Sequence, residues 1–471
     1  MSTQDSYKLS FKEKISFCLG DVGNNFAYQM VVIYLLIFYT DVFGISPLAA
    51  STMFLLARVW DAINDPIMGF IADKTNTRWG RFRPYLGWMA IPLAMMTVAV
   101  FTVPFEGMSE TSKLIYAYVT YIGFGMVYTA VNVPYNSMIS VLSENSMVRT
   151  KLVSLRAIMS MGAILLMSGV PAYVDMLGGG DDKTGYQLTA VIFGSLAACC
   201  CLATFFFCKE RVDITTHKGT KPPKHSLGDI LRSFFTNKPM LVLAGVVLLL
   251  FGLNAIQTSA GIYLFKYFLK AEEMFTLSMI IQLFSAIAGI IIARILVNKM
   301  DKKWVVFIGL VLALARGPAF LTMDVTTILA ISALAGIGMG MASGIIFSFV
   351  PDCIEYGEYK NGFRIDGISN AIIGFFNKFG MALGGIIPGA ILEFYDYVPN
   401  VLEQSDLAMT GFVHLGVTIP TLLVASGALL MAAYPLTRDK HTDIAAFLSS
   451  KRQKARDEAM VKLETGEVQP V

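Results

Sequence analysis

The stretch Arg58-Val59-Trp60-Asp61-Ala62-Ile63-Asn64-Asp65-Pro66 lies inside an apolar run that extends from Pro47 to about Ile71. A run of that length crosses a bilayer as a single helix, at a rise of about 1.5 Å per residue. Asp61 and Asp65 are four residues apart, so they share one helical face, with Arg58 one turn earlier and Asn64 flanking them. Each charge near mid-bilayer costs about 2.5–3.5 kcal/mol on insertion scales, so this face must be hidden in a helix bundle. Two carboxylates one turn apart repel unless a proton, a cation or a basic side chain answers them. Arg58 can neutralise one of them as a simple structural pair, which leaves the second without a partner. The pattern predicts a polytopic helical protein with a coupling-ion site in its second span.

The whole chain agrees with that class. Of 471 residues, 55% are hydrophobic and only 15% are charged, a composition of membrane rather than soluble domains. Hydropathy predicts twelve spans, near 15–42, 47–72, 84–104, 113–141, 152–174, 186–208, 238–268, 273–298, 304–323, 326–351, 366–391 and 411–436. Basic residues collect in alternate connectors (Lys74 to Arg83, Arg149 and Lys151, Lys209 to Lys238, Lys299 to Lys303, Lys360 and Arg364), while the opposite connectors are mainly acidic. The positive-inside rule therefore predicts cytoplasmic termini in a plasma membrane, with a bacterial inner membrane the expected setting. The polar start Met1–Lys14 is not a cleavable signal. The polar segment 209–237, with its Pro222-Pro223 pair, divides the spans six and six. The expected units are 1–208, a cytoplasmic linker 209–237, 238–436, and a charged, partly helical tail 437–471. Within the linker, Ser226–Phe235 has the spacing of an interfacial helix.

Several polar residues interrupt the spans. Asn24 and Asn25, in Gly20-Asp21-Val22-Gly23-Asn24-Asn25, can hydrogen-bond a polar solute or join helices, and the glycines permit close packing or a bend. Thr129, Asn132 and Asn136 form one stripe in the fourth span, suited to lining a solute path or to bonding back to the helix. Arg156 lies deep enough in the fifth span to need a partner or a cavity. Lys378 in the eleventh has no acid one turn away, so its partner is on another helix or in the solute. The loop 73–84 carries Asp73, Arg78 and Arg81 and either latches a conformation or only sets topology, and Pro84 is placed to begin a helix. Glu355 and Arg364 occupy the comparable end of the second half, which echoes the first. Six cysteines lack zinc-ligand spacing, and there is no nucleophile–base motif, phosphate loop or metal cluster. The expectation is a carrier rather than an enzyme, without cofactor or nucleic-acid partner.

Arg58 to Pro66, Asn76-Thr-Arg78-Trp79-Gly80-Arg81-Phe82-Arg83-Pro84 and Glu355-Tyr356-Gly357-Glu358 together resemble the glycoside–pentoside–hexuronide:cation symporters of the major facilitator superfamily, across nearly the whole chain. The resemblance implies an all-α fold of twelve transmembrane helices in two pseudo-symmetric six-helix bundles, acting as a monomer by alternating access. It implies a cation site, for Na+ or H+, at Asp61, Asn64, Asp65 and Thr129. Arg58, Tyr128, Arg156 and Lys378 match further positions along the cavity. Galactoside carriers of the family hold sugar hydroxyls with aspartates where this chain has Asn25 and Asn132, and an aromatic position reads Asn136 here. Replacing two carboxylates by amides while keeping Arg156 and Lys378 shifts the field toward an anionic solute. The expected cargo is a glucuronide, hexuronide or other acidic sugar, with a neutral glycoside as the alternative. A proton-coupled exporter and a transporter-fold sensor are remoter readings.

Overall fold

Apolar periodicity becomes helix throughout. A computed structural model of the chain describes residues 9–143, 146–211, 234–362 and 366–464. The first group of helices comprises α1 (Phe11–Ile37), α2 (Pro47–Lys74), α3 (Arg83–Val100), α4 (Glu110–Leu142), α5 (Ser146–Ser168), α6 (Val170–Gly178) and α7 (Asp182–Phe207). The second comprises α8 (Lys238–Tyr263), α9 (Glu273–Leu296), α10 (Lys302–Ala313), α11 (Arg316–Phe320), α12 (Val325–Ile346), α13 (Phe349–Asn361), α14 (Asp366–Phe394), α15 (Asp406–Val413), α16 (Ile419–Ala432) and α17 (Arg438–Glu464). Among the described residues, ten helices are long and apolar enough to cross a membrane. α2 and α3 supply the other two crossings expected from hydropathy, α2 with Arg58, Asp61 and Asp65 in its middle.

Local chemistry explains the helix ends. Ser10 and Glu13 form a reciprocal capping box on α1, Ser46 caps α2 with Pro47 in its first turn, and Asp181 caps α7. Pro84 stands in the first turn of α3, as expected. Three spans depart from the hydropathy reading. The fifth is interrupted at Gly169, the ninth breaks between α10 and α11, and the tenth ends at Ile346 rather than running on to Pro351. Pro351 instead falls in the first turn of α13, where its missing N–H costs no hydrogen bond. The proposed interfacial helix 226–235 lies almost wholly outside the described residues, as does Arg364.

The glycines of the first span permit contact rather than a bend, for α1 is continuous from Phe11 to Ile37. A Cβ on Gly20 would lie 2.6 Å from the Tyr135 ring, and one on Gly23 would lie 2.8 Å from Cys200 Cβ. The second bundle uses the same device. A Cβ on Gly340 of α12 would lie 2.1 Å from the carbonyl oxygen of Ala286 on α9, and one on Gly289 would lie 2.1 Å from that of Ile337. Apolar side chains such as Ile192, Leu196, Ile291, Ile295, Leu422 and Leu429 cover the outer faces. Beyond α7, the Glu210 carboxylate accepts hydrogen bonds from the backbone N–H groups of Arg81 (2.8 Å), Phe82 (2.8 Å) and Arg83 (2.7 Å). The end of the 73–84 loop and the start of α3 are thus tied to the segment that follows α7.

The two bundles meet at the end away from the basic connectors. α1 is extended by a π-helical turn, Phe38–Val42, and α8 by another, Leu264–Phe268. These turns place the Asp41 carboxylate, whose side chain is 1% exposed, beside Lys266 Nζ at 3.5 Å. The hydroxyls of Tyr267 and Tyr397 also donate to that carboxylate, Tyr397 at 2.8 Å, and Asn400 Nδ2 donates to the Asp41 carbonyl oxygen. Nearby, α14 crosses α2 so closely that a Cβ on Gly389 would overlap Ser51 and the Pro47 carbonyl.

These crossings make a size-selective prediction. Gly340→Val forces α9 and α12 apart and should lower the melting temperature of the purified protein, by an overpacking cost of about 1–3 kcal/mol. Gly385→Ala, where a Cβ meets nothing within 4 Å, should leave it unchanged. Thermal unfolding in detergent checks both.

Candidate functional site

Between the bundles lies a cavity of about 260 Å³ lined by Tyr28, Arg58, Asp61, Asp65, Tyr128, Thr129, Asn132 and Lys378, among others. α2 carries three of these charges on one face, as its spacing requires. Arg58 Nη1 is 3.6 Å from Asp61 Oδ2, the intrahelical pair that sequence spacing allows. The Arg58 guanidinium also lies over the Tyr28 ring, 5.6 Å from its centroid, and Tyr28 stacks on Tyr128 at 5.0 Å.

The second carboxylate is answered from the other bundle. Lys378 Nζ of α14 makes an ion pair with Asp65 Oδ2 of α2. Thr129 of α4 donates to Asp65 Oδ1 at 3.0 Å. Asp65 therefore collects a hydroxyl from one helix and an ammonium from another, the partner that Lys378 lacks on its own helix. Asn64 is partly buried, and its Nδ2 has no hydrogen-bond partner among the described residues.

Towards the end with the basic connectors the polar wall continues. Asn136 Nδ2 donates to Asn132 Oδ1 at 3.0 Å, and Arg156 Nη1 donates to Asn136 Oδ1 at 2.9 Å. Arg156 Nε lies 3.9 Å from Asp21 Oδ2, and Ser160 Oγ donates to the same carboxylate. Asn25 Nδ2 bonds back to the Asp21 carbonyl at 2.8 Å. Asn24 is placed differently: it is 2% exposed, inside the first bundle, and neither of its amide atoms has a partner.

The expected latch residues are spread more widely. Arg81 meets Glu210 through its backbone, while the Arg78 guanidinium lies 4.4 Å from the Trp79 ring centroid. Glu355 Oε2 is 2.9 Å from His441 Nε2 of the tail helix α17. The side chain of Asp73 and all of Arg364 lie outside the described residues.

Spacing alone did not single out Asp21, Ser160 or Asp41 as partners, because each meets its counterpart across a long sequence separation. The available signal was an acid inside an apolar span, which membrane energetics makes costly. Three acids (Asp21, Asp61, Asp65) thus stand opposite three bases (Arg58, Arg156, Lys378) in one polar tract. The arrangement holds charge in balance and offers hydroxyl and amide groups to a polar solute. No metal-ligand cluster occurs among the described residues.

The sequence matches the family model of MFS/sugar transport proteins over residues 16–438. It is 36% identical to the uncharacterized symporter YnaJ of Bacillus subtilis, over 96% of this chain and 97% of that protein. It is 33% identical to the isoprimeverose transporter of Lactiplantibacillus pentosus, over 91% of this chain and 89% of that one. It is 31% identical to the glucuronide carrier protein homolog of Escherichia coli, over 95% and 97%. Among solved structures, a D-xylose–proton symporter superposes with a TM-score of 0.62 at 16% identity, over 90% of this chain and 97% of that chain, a likeness of fold. The chain belongs to the MFS/sugar transport family, among its glycoside–pentoside–hexuronide:cation symporters, and is a polytopic membrane transporter rather than an enzyme.

Proposed function

We propose that the protein imports an acidic sugar, of the glucuronide or hexuronide class, together with one Na+ or H+, across a bacterial inner membrane. The observation that carries this reading is the ion pair between Lys378 and Asp65, made between the two bundles and inside the cavity. In this reading Asp61, Asn64, Asp65 and Thr129 hold the coupling cation. Asn25, Arg58, Tyr128, Asn132, Asn136 and Arg156 face the sugar, while Asn24 supports that wall from behind. The units are 1–208 and 238–436, joined by the linker 209–237, with both termini and the tail 437–471 on the cytoplasmic side. The Asp41 cluster then closes the periplasmic end.

Charge drives the coupling. Lys378 occupies Asp65 as a tethered cation while the mobile one is away. Arrival of Na+ or H+ at Asp61 and Asp65 displaces the ammonium, which turns to the cavity. The polar tract, neutral before, then carries one positive charge and a free ammonium donor, a setting that favours a solute carboxylate. Linkage requires the sugar to tighten cation binding by the same factor that the cation tightens sugar binding. After both leave to the cytoplasm, Lys378 neutralises Asp65 again and the empty carrier returns without burying a bare carboxylate. A neutral glycoside is the second reading, favoured by the relative that transports isoprimeverose and by the balanced charge of the resting cavity.

Asp65→Asn should abolish uphill accumulation in energised vesicles while leaving downhill sugar entry measurable; accumulation at the wild-type level would remove Asp65 from the coupling site. Lys378→Gln should separate two modes of transport. Exchange of external for internal sugar, which never needs the empty carrier, should persist. Net uptake should fall about tenfold or more, the effect of roughly 1.4 kcal/mol on the return step. Equal loss of both modes would place Lys378 in sugar binding alone. Free uronates and glucuronides should compete with the labelled sugar better than their neutral counterparts, and the reverse order would select the neutral-glycoside reading.

A further inference from the structure

Asp21 is the acid of the polar tract to which the proposed mechanism gives no task. At about 1.5 Å per residue it lies roughly 15 Å along α1 from Phe11, at a depth where a bare carboxylate is costly. The backbone around it is fixed. A Cβ on its neighbour Gly20 would lie 2.6 Å from the Tyr135 ring, and the Tyr135 hydroxyl donates to the Phe17 carbonyl oxygen at 2.8 Å. Asn25 Nδ2 donates to the carbonyl oxygen of Asp21 itself. From α5 the hydroxyl of Ser160, a buried residue, donates to the Asp21 carboxylate.

Arg156 meets that carboxylate at a distance. Its Nε lies 3.9 Å from Asp21 Oδ2, an ion pair too long to be a hydrogen bond. Nη1 donates instead to Asn136 Oδ1 at 2.9 Å, and the guanidinium stands 5.7 Å from the Tyr135 ring centroid. Lys378 is bound differently, because its ammonium donates directly into the Asp65 carboxylate. Asp21 therefore balances the charge of Arg156 without drawing on its N–H donors. Both side chains stay partly open, 24% for Arg156 and 19% for Asp21. Two properties of Arg156 are thereby separated. Its donors serve any sugar oxygen, whereas its net charge, which only an acidic sugar feels strongly, is set by Asp21.

We propose that Asp21 is a positioning residue that sets how strongly the sugar wall discriminates between acidic and neutral sugars. The inference rests on the reading above that Arg156 faces the sugar. With Asp21 ionised, the Arg156–Asp21 pair presents donors and no net charge, so a neutral glycoside is accepted. The added attraction for an acidic sugar then comes from Lys378 once the coupling cation has displaced it. Neutralising Asp21 uncovers the charge of Arg156 and strengthens the hold on a carboxylate while leaving the bonds to sugar hydroxyls in place.

The test titrates the full chain in detergent, at fixed pH and Na+ concentration, with methyl β-glucuronide and methyl β-glucoside. These sugars differ only in a carboxylate against a hydroxymethyl group, and the readout is the ratio of their Kd values. Asp21→Asn, which keeps an acceptor for Ser160, should move that ratio about tenfold toward the glucuronide, as removal of one nearby charge from a partly screened site requires. Asp21→Ser should move it the same way, and Asp21→Glu, which keeps the charge, should leave it within about threefold of the starting protein. A ratio unmoved in Asp21→Asn or Asp21→Ser, with both sugars still bound, would overturn the proposal, and either variant decides it if the other does not fold. Equal weakening of both sugars would also overturn it and leave Asp21 a structural partner of Arg156. Tighter binding of the glucoside by the unsubstituted protein would refute the acidic-cargo reading alone, since the shift on neutralising Asp21 is expected from either starting ratio. Binding of neither sugar would overturn both.

Discussion

A carboxylate held between two helix bundles must be neutralised in every state that closes over it, and in this protein Lys378 does so for Asp65. The pair is made by α2 of one bundle and α14 of the other, so it bears on the relative position of the halves as well as on local charge. Thr129 adds a hydroxyl from α4, and Arg58 satisfies Asp61 within α2. The two carboxylates of one helical face thereby have unlike partners. One partner is intrahelical; the other reaches across the cavity. In the proposed mechanism a tethered and a mobile cation compete for Asp65, a basis for coupling that needs no bond to be made or broken.

The remaining contacts between the bundles fit that picture. Asp41, Lys266, Tyr267, Tyr397 and Asn400 knot together at the end away from the basic connectors, on two π-helical turns that bring their side chains inward. Gly389 allows α14 to cross α2 nearly backbone to backbone beside them. Opening that end requires the buried Asp41 carboxylate to exchange three donors from the other bundle, Lys266, Tyr267 and Tyr397, for water. The polar wall of Asn132, Asn136, Arg156 and Asp21 lies on the other side of the Asp65 pair.

Much of this was legible in the chain because membrane energetics are severe. Twelve apolar runs gave the crossings within a few residues, and the period of a helix put Arg58, Asp61 and Asp65 on one face. What was hidden follows from two kinds of distance. Lys378 and Asp65 are separated by 313 positions, and Arg156 and Asp21 likewise meet only in the fold; no periodicity carries such a pairing. Helix breaks are the second kind: the interruptions at Gly169 and between Ala313 and Arg316 sit inside runs that remain apolar, so hydropathy reads straight through them. Asn24 shows the opposite error. Its position beside Asn25 suggested a shared role, but adjacent residues on a helix point about 100° apart, and it turns into the bundle.

The most direct measurement is uptake of a labelled glucuronide into sealed, inside-negative vesicles with Na+ and proton gradients imposed one at a time. Accumulation driven by one of the two gradients, and collapsed when that gradient alone is dissipated, is the expected result, and it names the cation that competes with Lys378. Accumulation that follows neither gradient, for this sugar or a neutral glycoside, would contradict cation coupling at Asp65.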